Sequence, residues 1–395
     1  MPVDIAEYAL DWIHALRMDA SVEQEAAMTA ETSSKPKVRH TAAKKVTLAH
    51  VAQAAGVSQA TVSMILNGRE GVSFADETMA AVFAAAEGLG YRVTRRAAVG
   101  VGAPAVLVVA PNVTNPYYTT VIQAIQQAAA LKGYATSIHT TYRNLESELA
   151  TLRLAHAMGV EGVIFTMLAH PEAVLEKADR KLPVVVIGDK RQDLNVDTVE
   201  LNNYDAGSLV ARHMYDLGHR HLAYISTTLD QANPIRTRRL QGLRDTFTHL
   251  CPEGSVLVKS RDISPETELE NLQIEHIVGL ELARKCLDDK KITGFVAVND
   301  MVAYGVMDAV RGAGFSIPGD YSVCGFDNIF PSGFAGVALT TVEHCMRDKG
   351  RNALEILHNK ISGAASHRNI IRVEYSHKLI ARASTAAPRT HRSAQ

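Results

Sequence analysis

Residues 47 to 67, TLAHVAQAAGVSQATVSMILN, carry the most chemically specific spacing in the chain. Thr47 can cap a short helix that buries Leu48, Val51 and Ala52 and ends near Ala55. Gly56 stands where a tight turn needs positive φ, and Val57 plugs the corner. Ser58 then caps a second helix that buries Val62, Ile65 and Leu66 and turns Gln59, Ala60, Ser63 and Met64 outward. Small polar and apolar groups presented this way can read base edges in a DNA major groove. An ordinary helical hairpin fits the same pattern, so the local charge has to decide. No acid occurs from Thr32 to Arg69, where Lys35, Lys37, Arg39, Lys44, Lys45 and Arg69 all lie. From Thr32 to Val99 nine Lys/Arg face four Asp/Glu, or +5, whereas the whole chain is −1. That concentration suits phosphate binding.

A second set of residues lies further along. Asn115, Tyr117 and Tyr118 follow the run AVLVVA, Asn299 and Asp300 follow FVAV, and Phe326 and Asp327 close YSVCGF. Arg239 opens the helix after HLAYIS. Carboxylate, amide and guanidinium groups beside aromatic faces suit hydroxyl-rich ligands. Plain structural roles fit too: helix-start packing for the tyrosines, an N-cap for Asn299/Asp300, and a solvated basic face for Arg239 beside Arg236 and Arg238.

Catalysis has little support. The GVG at Gly100–Gly102 precedes a strand instead of following one, no P-loop occurs, and GHRH at Gly218–His221 lacks a third metal ligand. No enzyme, metal or cofactor is expected. Cys251, Cys286, Cys324 and Cys345 are scattered without ligand spacing and read as buried thiols of a reducing cytosol. The acidic N-terminus has no apolar core and so no secretory signal. Ala97 to Leu131 is uncharged, but Pro104, Pro111, Asn112, Asn115 and Pro116 break it, so no membrane span is expected.

The elements that must position these groups follow from periodicity. Ser73 and Asp76 cap a third helix with Met79, Val82, Phe83 and Ala86 at helical spacing, stopped by Gly90. From Ala105 onward, strands (AVLVVA, ATSIHT, GVIF, PVVVI, HLAYIS, FVAV, YSVCGF) alternate with helices over 117–132, 145–158, 204–217, 235–250 and 300–313. Such alternation predicts doubly wound parallel sheets, and its length predicts two α/β lobes. Ligands of such sheets bind beyond the strand C-termini, where the second residue set falls.

The stretch VTLAHVAQAAGVSQATVSMILNG, followed by LGYRV, VTNPYY, LGHRHLAYIS, RRLQGL, FVAVNDMVAYGVMDAV, SVCGFDN, LTTV and LIARAST, resembles the lactose-repressor (LacI/GalR) family of bacterial transcription regulators from about Val46 to Thr385. The resemblance implies an all-α helix-turn-helix headpiece joined to a two-lobed α/β domain of the periplasmic-binding-protein type (type I). The expected division is an extension over 1–45, headpiece over 46–92, hinge over 93–104, two-lobed domain over 105–385 and tail over 386–395. Lobe one is expected near Ala105–Leu201 plus about Phe334–Gly363, and lobe two near Asn202–Gly333 plus the C-terminal strands. The implied DNA-contacting set is Thr47, Ser58, Gln59, Ala60, Thr61, Ser63, Met64, Asn67, Arg95 and Arg96. Arg239 and Asp327 match the family's effector-contacting positions. A cytoplasmic homodimer, or a higher assembly, is expected on a pseudo-palindromic operator. It would act as a repressor released by a sugar or sugar phosphate.

Three departures stand out. The family's headpiece starts near the beginning of the chain, whereas here residues 1–31 hold seven acids and one arginine. Gly188 occupies the usual aspartate position after PVVVI, with Asp189 next. In the hinge RVTRRAAVGVGAPA, Gly100 replaces the leucine that wedges the minor groove, leaving Val99 as a smaller wedge.

Overall fold

The computed structural model describes residues 47–66, 74–89, 103–179, 181–190, 194–230, 233–366 and 368–389. Asn67, Ser73, Gly90, Arg95, Arg96, Val99, Gly100 and the extension over 1–45 lie outside the described residues. The chain divides into two compact units, Met1–Thr94 and Arg95–Gln395.

The first unit contains α1 (Leu48–Ala55), α2 (Gln59–Leu66) and α3 (Asp76–Gly88). Thr47 is the N-cap of α1, and its N–H donates to His50 Nδ1 at 3.1 Å. Gly56 ends the helix at φ +67°, so the turn has the geometry that favours glycine. Val51, Ala52, Val62, Ile65, Val82 and Ala86 form a small core, with Leu48, Val57 and Met79 packed around it.

The second unit holds two sheets. Its elements are β1 (Ala105–Ala110), α4 (Pro116–Lys132), β2 (Ala135–Thr140), α5 (Leu145–Met158), β3 (Gly162–Phe165), α6 (Pro171–Leu175), β4 (Val184–Asp189), β5 (Asp197–Leu201) and α7 (Asn203–Asp216). They continue with β6 (His221–Thr227), α8 (Pro234–Leu250), β7 (Ser255–Arg261), α9 (Pro265–Glu270), α10 (Ile274–Arg284), β8 (Gly294–Ala297), α11 (Asp300–Gly312) and β9 (Ser322–Asp327). A 3₁₀ turn (Phe330–Gly333), β10 (Thr340–Glu343), α12 (Met346–Ile361), β11 (Arg372–Tyr375) and β12 (Lys378–Ile380) complete it.

Sheet one runs β11-β5-β4-β3-β1-β2 and defines lobe one; sheet two runs β12-β10-β9-β8-β6-β7 and defines lobe two. The paired strands are parallel except β10 with β12. Two sheets with helices on both faces are the two-lobed, doubly wound architecture that the alternation predicts.

The lobe boundaries need correction. The expected boundary places residues 340–343 in lobe one, but β10 pairs with β9 in lobe two, with Thr341 opposite Gly325. The return to lobe one comes later, at α12, whose Leu354 and Leu357 join the core under β1 and β3. The C-terminal strands also split: β11 covers the edge of β5, and only β12 joins lobe two. Short strands such as TTVE and RVEY carry no periodicity that assigns them to one sheet or the other.

Two helix pairs fix the walls of the interlobe space. A Cβ on Gly207 of α7 would lie 2.0 Å from the Arg239 carbonyl oxygen, and one on Gly242 of α8 would lie 1.9 Å from that of Tyr204. These glycines let α7 and α8 touch backbone to backbone. Gly279 of α10 and Gly305 of α11 do the same, with 2.1 Å to Val302 O and 1.9 Å to His276 O. The segments carrying Arg239, Glu275 and Asn299 are therefore rigidly placed.

The GHRH turn is a structural stitch. His219 is fully buried. Its Nδ1 lies 2.7 Å from Thr293 Oγ1, and its Nε2 lies 3.0 Å from Ser322 Oγ and 3.1 Å from the Ala386 carbonyl oxygen. Burial lowers its pKa to about 4. The ring is thus neutral in the fold but titrates near 6.5 in the unfolded chain. Its stabilising contribution is complete above about pH 6.5 and is lost as pH falls toward 4, by up to about 3 kcal/mol. Urea midpoints measured above and below this window should fall less for His219→Gln than for the parent. Equal falls would remove His219 from the acid sensitivity.

Candidate functional site

In the headpiece, α2 presents Gln59 and Ala60 exposed and Ser63 and Met64 half-buried. Ser58 Oγ accepts from Thr61 N at 3.0 Å and lies 2.9 Å from Thr61 Oγ1, which sets the first turn of α2. Ser58, Gln59, Ala60, Thr61, Ser63 and Met64 are thus gathered on the turn and the helix that a major groove would receive, whereas Thr47 stands apart at the start of α1.

In the two-lobed unit, the strand C-termini of both sheets converge on a cleft of about 540 Å³, counted with the solvent at its mouth. Asn115, Tyr117, Tyr118, Arg239, Asn299 and Asp327, all singled out from sequence, line it. Asn115 caps α4, accepting from Tyr117 N at 2.9 Å, and its amide donates to Glu275 Oε2 at 2.8 Å across the lobes. Asn299 caps α11, accepting from Val302 N at 2.9 Å, and donates to Glu275 Oε1 at 3.0 Å. Both asparagines therefore combine the capping and the cleft role.

Arg239 is 6% exposed, which removes the solvated-face alternative. Its Nε donates to Asn203 Oδ1 at 2.9 Å and an Nη to the Val298 carbonyl at 2.7 Å. The other Nη lies 3.4 Å from Asp327 Oδ1 and 3.2 Å from His344 Nδ1. Asp327 Oδ1 is also 3.0 Å from His344 Nδ1, while no described residue donates to Asp327 Oδ2. Burial pushes the Asp327 carboxyl above the usual carboxylate range, against the pull of Arg239. Burial also drives His344 well below the usual histidine range, so its ring is neutral.

Two expected residues do not line the cleft. Asp300 is fully buried behind it and accepts from Ile329 N at 3.1 Å, Ser332 Oγ at 2.6 Å and Thr341 Oγ1 at 2.6 Å. It anchors the segment after β9, because its position at the start of α11 turns the side chain toward sheet two. Phe326 is likewise fully buried, supporting the Arg239 guanidinium 5.0 Å from its ring centroid.

Sequence reasoning missed half of the wall. Arg143 pairs with Glu268 across the lobes, and Asn112 donates to the same carboxylate. Burial opposes ionisation of Glu268, yet Arg143 beside it holds the pKa below the usual value. Arg236 lies 3.7 Å from Glu275. Arg143 follows β2, so the strand-terminus rule alone would have found it. Glu268, Glu275, His344 and Lys349 lie in segments that the alternation did not resolve. Asp189, next to the unusual Gly188, accepts from Asn203 N at 3.0 Å and Nδ2 at 2.8 Å where the chain passes between lobes.

Among the described residues no His/Cys/Asp/Glu cluster has metal-site geometry, and no helix is long and apolar enough to cross a membrane.

Residues 47–93 match the family of bacterial regulatory proteins of the lacI type, and residues 211–385 match the periplasmic binding protein-like domain. The HTH-type transcriptional regulator reg1 of Streptomyces lividans is 29% identical over 86% of this chain and 96% of its own length. The HTH-type transcriptional repressor PurR of Mannheimia succiniciproducens is 27% identical over 83% and 95%. The structure of a LacI family regulator from Enterococcus faecium with bound ribose superposes with a TM-score of 0.61 at 22% identity, covering 72% of this chain and all of that one. These relatives are regulators, not enzymes. With its helix-turn-helix and its two-lobed binding domain, the chain belongs to the LacI family of DNA-binding transcriptional regulators.

Proposed function

We propose that the protein is a homodimeric cytoplasmic repressor of carbohydrate-use genes, released from a pseudo-palindromic operator by a small polyhydroxylated effector, a sugar or sugar phosphate. One observation carries the reading. The same chain holds a DNA-binding headpiece and a cleft whose polar wall, buried Asn115, Arg239, Asn299 and Asp327 with half-buried Glu275, is pre-positioned by hydrogen bonds. The open oxygen of Asp327 accepts ligand hydroxyls, the arginines donate to ligand oxygens, and Tyr117 offers an aromatic edge. The ribose held by the Enterococcus faecium regulator supports this ligand class. The proposed division is headpiece over 46–92, hinge over 93–104 and two-lobed domain over 105–385, between an extension over 1–45 and a tail over 386–395. Two headpieces related by a two-fold axis read two half-sites. Effector closes the lobes and disfavours the DNA-bound arrangement by its differential affinity for the two states.

The test is selection of operators from randomised DNA, followed by release with a sugar panel and sedimentation for the oligomeric state. An unselective pool, or no release by any sugar or sugar phosphate, would refute the respective half. Base readout gives a sharper result. Met64 packs on a thymine methyl, whereas arginine reads guanine bidentately. Met64→Arg is expected to change the preferred base at one symmetric position per half-site, by about 1–3 kcal/mol. Identical selected motifs for parent and variant would remove Met64 from the interface.

A further inference from the structure

Behind the cleft wall lies a cation that the sugar reading does not use. Lys349, on α12 of lobe one, is 1% exposed. Its ammonium donates to the Tyr117 hydroxyl oxygen and sits 4.7 Å from that ring's centroid. No carboxylate oxygen of a described residue lies within ion-pair distance of it. The other cleft cations are matched: Arg143 by Glu268, Arg236 by Glu275, Arg239 by Asp327. Lys349 is one positive charge left over.

The Tyr117 hydroxyl is left over as well. With Lys349 on a lone pair, its proton is free, and no described residue accepts it. Tyr117 lines the cleft. The wall therefore offers one O–H donor with a buried ammonium directly behind it.

We infer that the effector carries a single carboxylate among its hydroxyls, as an aldonic or uronic acid does, and that the Tyr117 hydroxyl receives this carboxylate with Lys349 as its counter-charge. The inference rests on the cleft being the effector site. A charge count at the Tyr117 hydroxyl favours this ligand over the alternatives. Around the Tyr117 hydroxyl the charged groups are Lys349, Arg239 and Asp327, which sum to +1 with the amine protonated and the carboxyl ionised, and His344 beside them is neutral. One carboxylate brings that sum to zero. A neutral sugar leaves it unbalanced in a buried place, and a phosphate ester, at about −1.5 to −2, overshoots it while facing Glu275 and Asp327. Burial lowers Lys349 to about 7, opposed by Asp327. The remaining groups around it are Tyr117, Arg239, Cys345 and Glu343, with His344 and His377 adjoining. Glu343 is held by Cys345 N and the Asn328 amide, which direct its carboxylate to those donors. As pH rises past the point where this cluster loses one proton, its charge falls to zero and carboxylate binding weakens by up to about tenfold per pH unit.

The experiment is calorimetric titration of the full chain with gluconate, glucuronate and galacturonate against glucose, galactose and a glucose phosphate ester. Each titration is paired with operator release. The expected result is at least one acid binding about tenfold or more tightly than its neutral counterpart, with that preference lost in Lys349→Met and reduced in Tyr117→Phe. Lys349→Met keeps the volume and removes a buried charge, so the variant folds. Neutral sugars or the phosphate ester binding as tightly as the acids, Lys349→Met retaining the preference, or no probe binding would each overturn the inference. Release of the operator by neutral sugars alone sinks this inference and leaves the regulatory reading standing. Acid binding with the expected preference but without operator release does the reverse.

Discussion

Raising the salt from about 50 to 200 mM is expected to weaken operator binding by about a thousandfold. The cations responsible are unusually placed. The described headpiece, residues 47–66 and 74–89, contains no Lys or Arg, and α3 contributes only acids. All nine basic residues between Thr32 and Val99 flank its helices in sequence: Lys35, Lys37, Arg39, Lys44 and Lys45 before α1, Arg69 between α2 and α3, and Arg92, Arg95 and Arg96 after α3. Base readout and phosphate binding are thus divided between α2 and its flanks. Six or more neutralised phosphates per operator put the loss in this range. Lys44→Ala with Lys45→Ala should lower the slope of log affinity against log salt by about two per headpiece pair member replaced, and leave the selected motif unchanged. Anisotropy titrations on the selected operator read both quantities. A flat salt response would show that the flanks do not bind phosphate.

How legible these features were in the chain depended on locality. The headpiece was legible because each of its determinants is local: the caps at Thr47 and Ser58, the left-handed Gly56, and Val51, Val62 and Ile65 at helical spacing. Among the first nine strands all neighbours except β4 and β5 are separated by helices, and the strands read from buried apolar runs, such as AVLVVA and YSVCGF, stand where periodicity puts them. DTVEL and SVLVKSR were missed. The first has polar residues at every second position although it is wholly buried, and the second is a half-exposed edge strand. The crossings between lobes were misplaced because the partner of a four-residue strand is a non-local fact. Thr340–Glu343 says nothing of β9 until both are folded.

The cleft divides along the same line. Residues immediately after a strand, Asn115, Asn299 and Asp327, were found from the rule that ligands sit beyond strand ends. That rule also over-reached, since it cannot tell which side of the sheet a side chain faces: Asp300 and Phe326 adjoin true lining residues but point into lobe two. Glu275 joins Asn115, Asn299 and Arg236, residues far apart in the chain, and only tertiary structure shows that one carboxylate serves all three.

Arg239 carries the second large effect, and the geometry changes what its removal should do. Read as a site residue alone, Arg239→Ala would fold and bind its operator while losing response to the effector. The guanidinium, however, also holds Asn203 Oδ1, the Val298 carbonyl and Asp327 Oδ1 inside lobe two. Removing it leaves a buried carboxylate and a buried carbonyl without their donor, at a cost of about 3–5 kcal/mol. Arg239→Ala and Asp327→Ala should therefore each lower the urea midpoint as well as abolish operator release. The double variant Arg239→Met, Asp327→Leu removes both charges together and should recover part of that stability while release stays lost. That combination separates the two roles, because stability is restored without function. Single variants with unchanged midpoints would mean that Arg239 acts only toward the ligand. Recovery of release in the double variant would mean that neither side chain touches the effector.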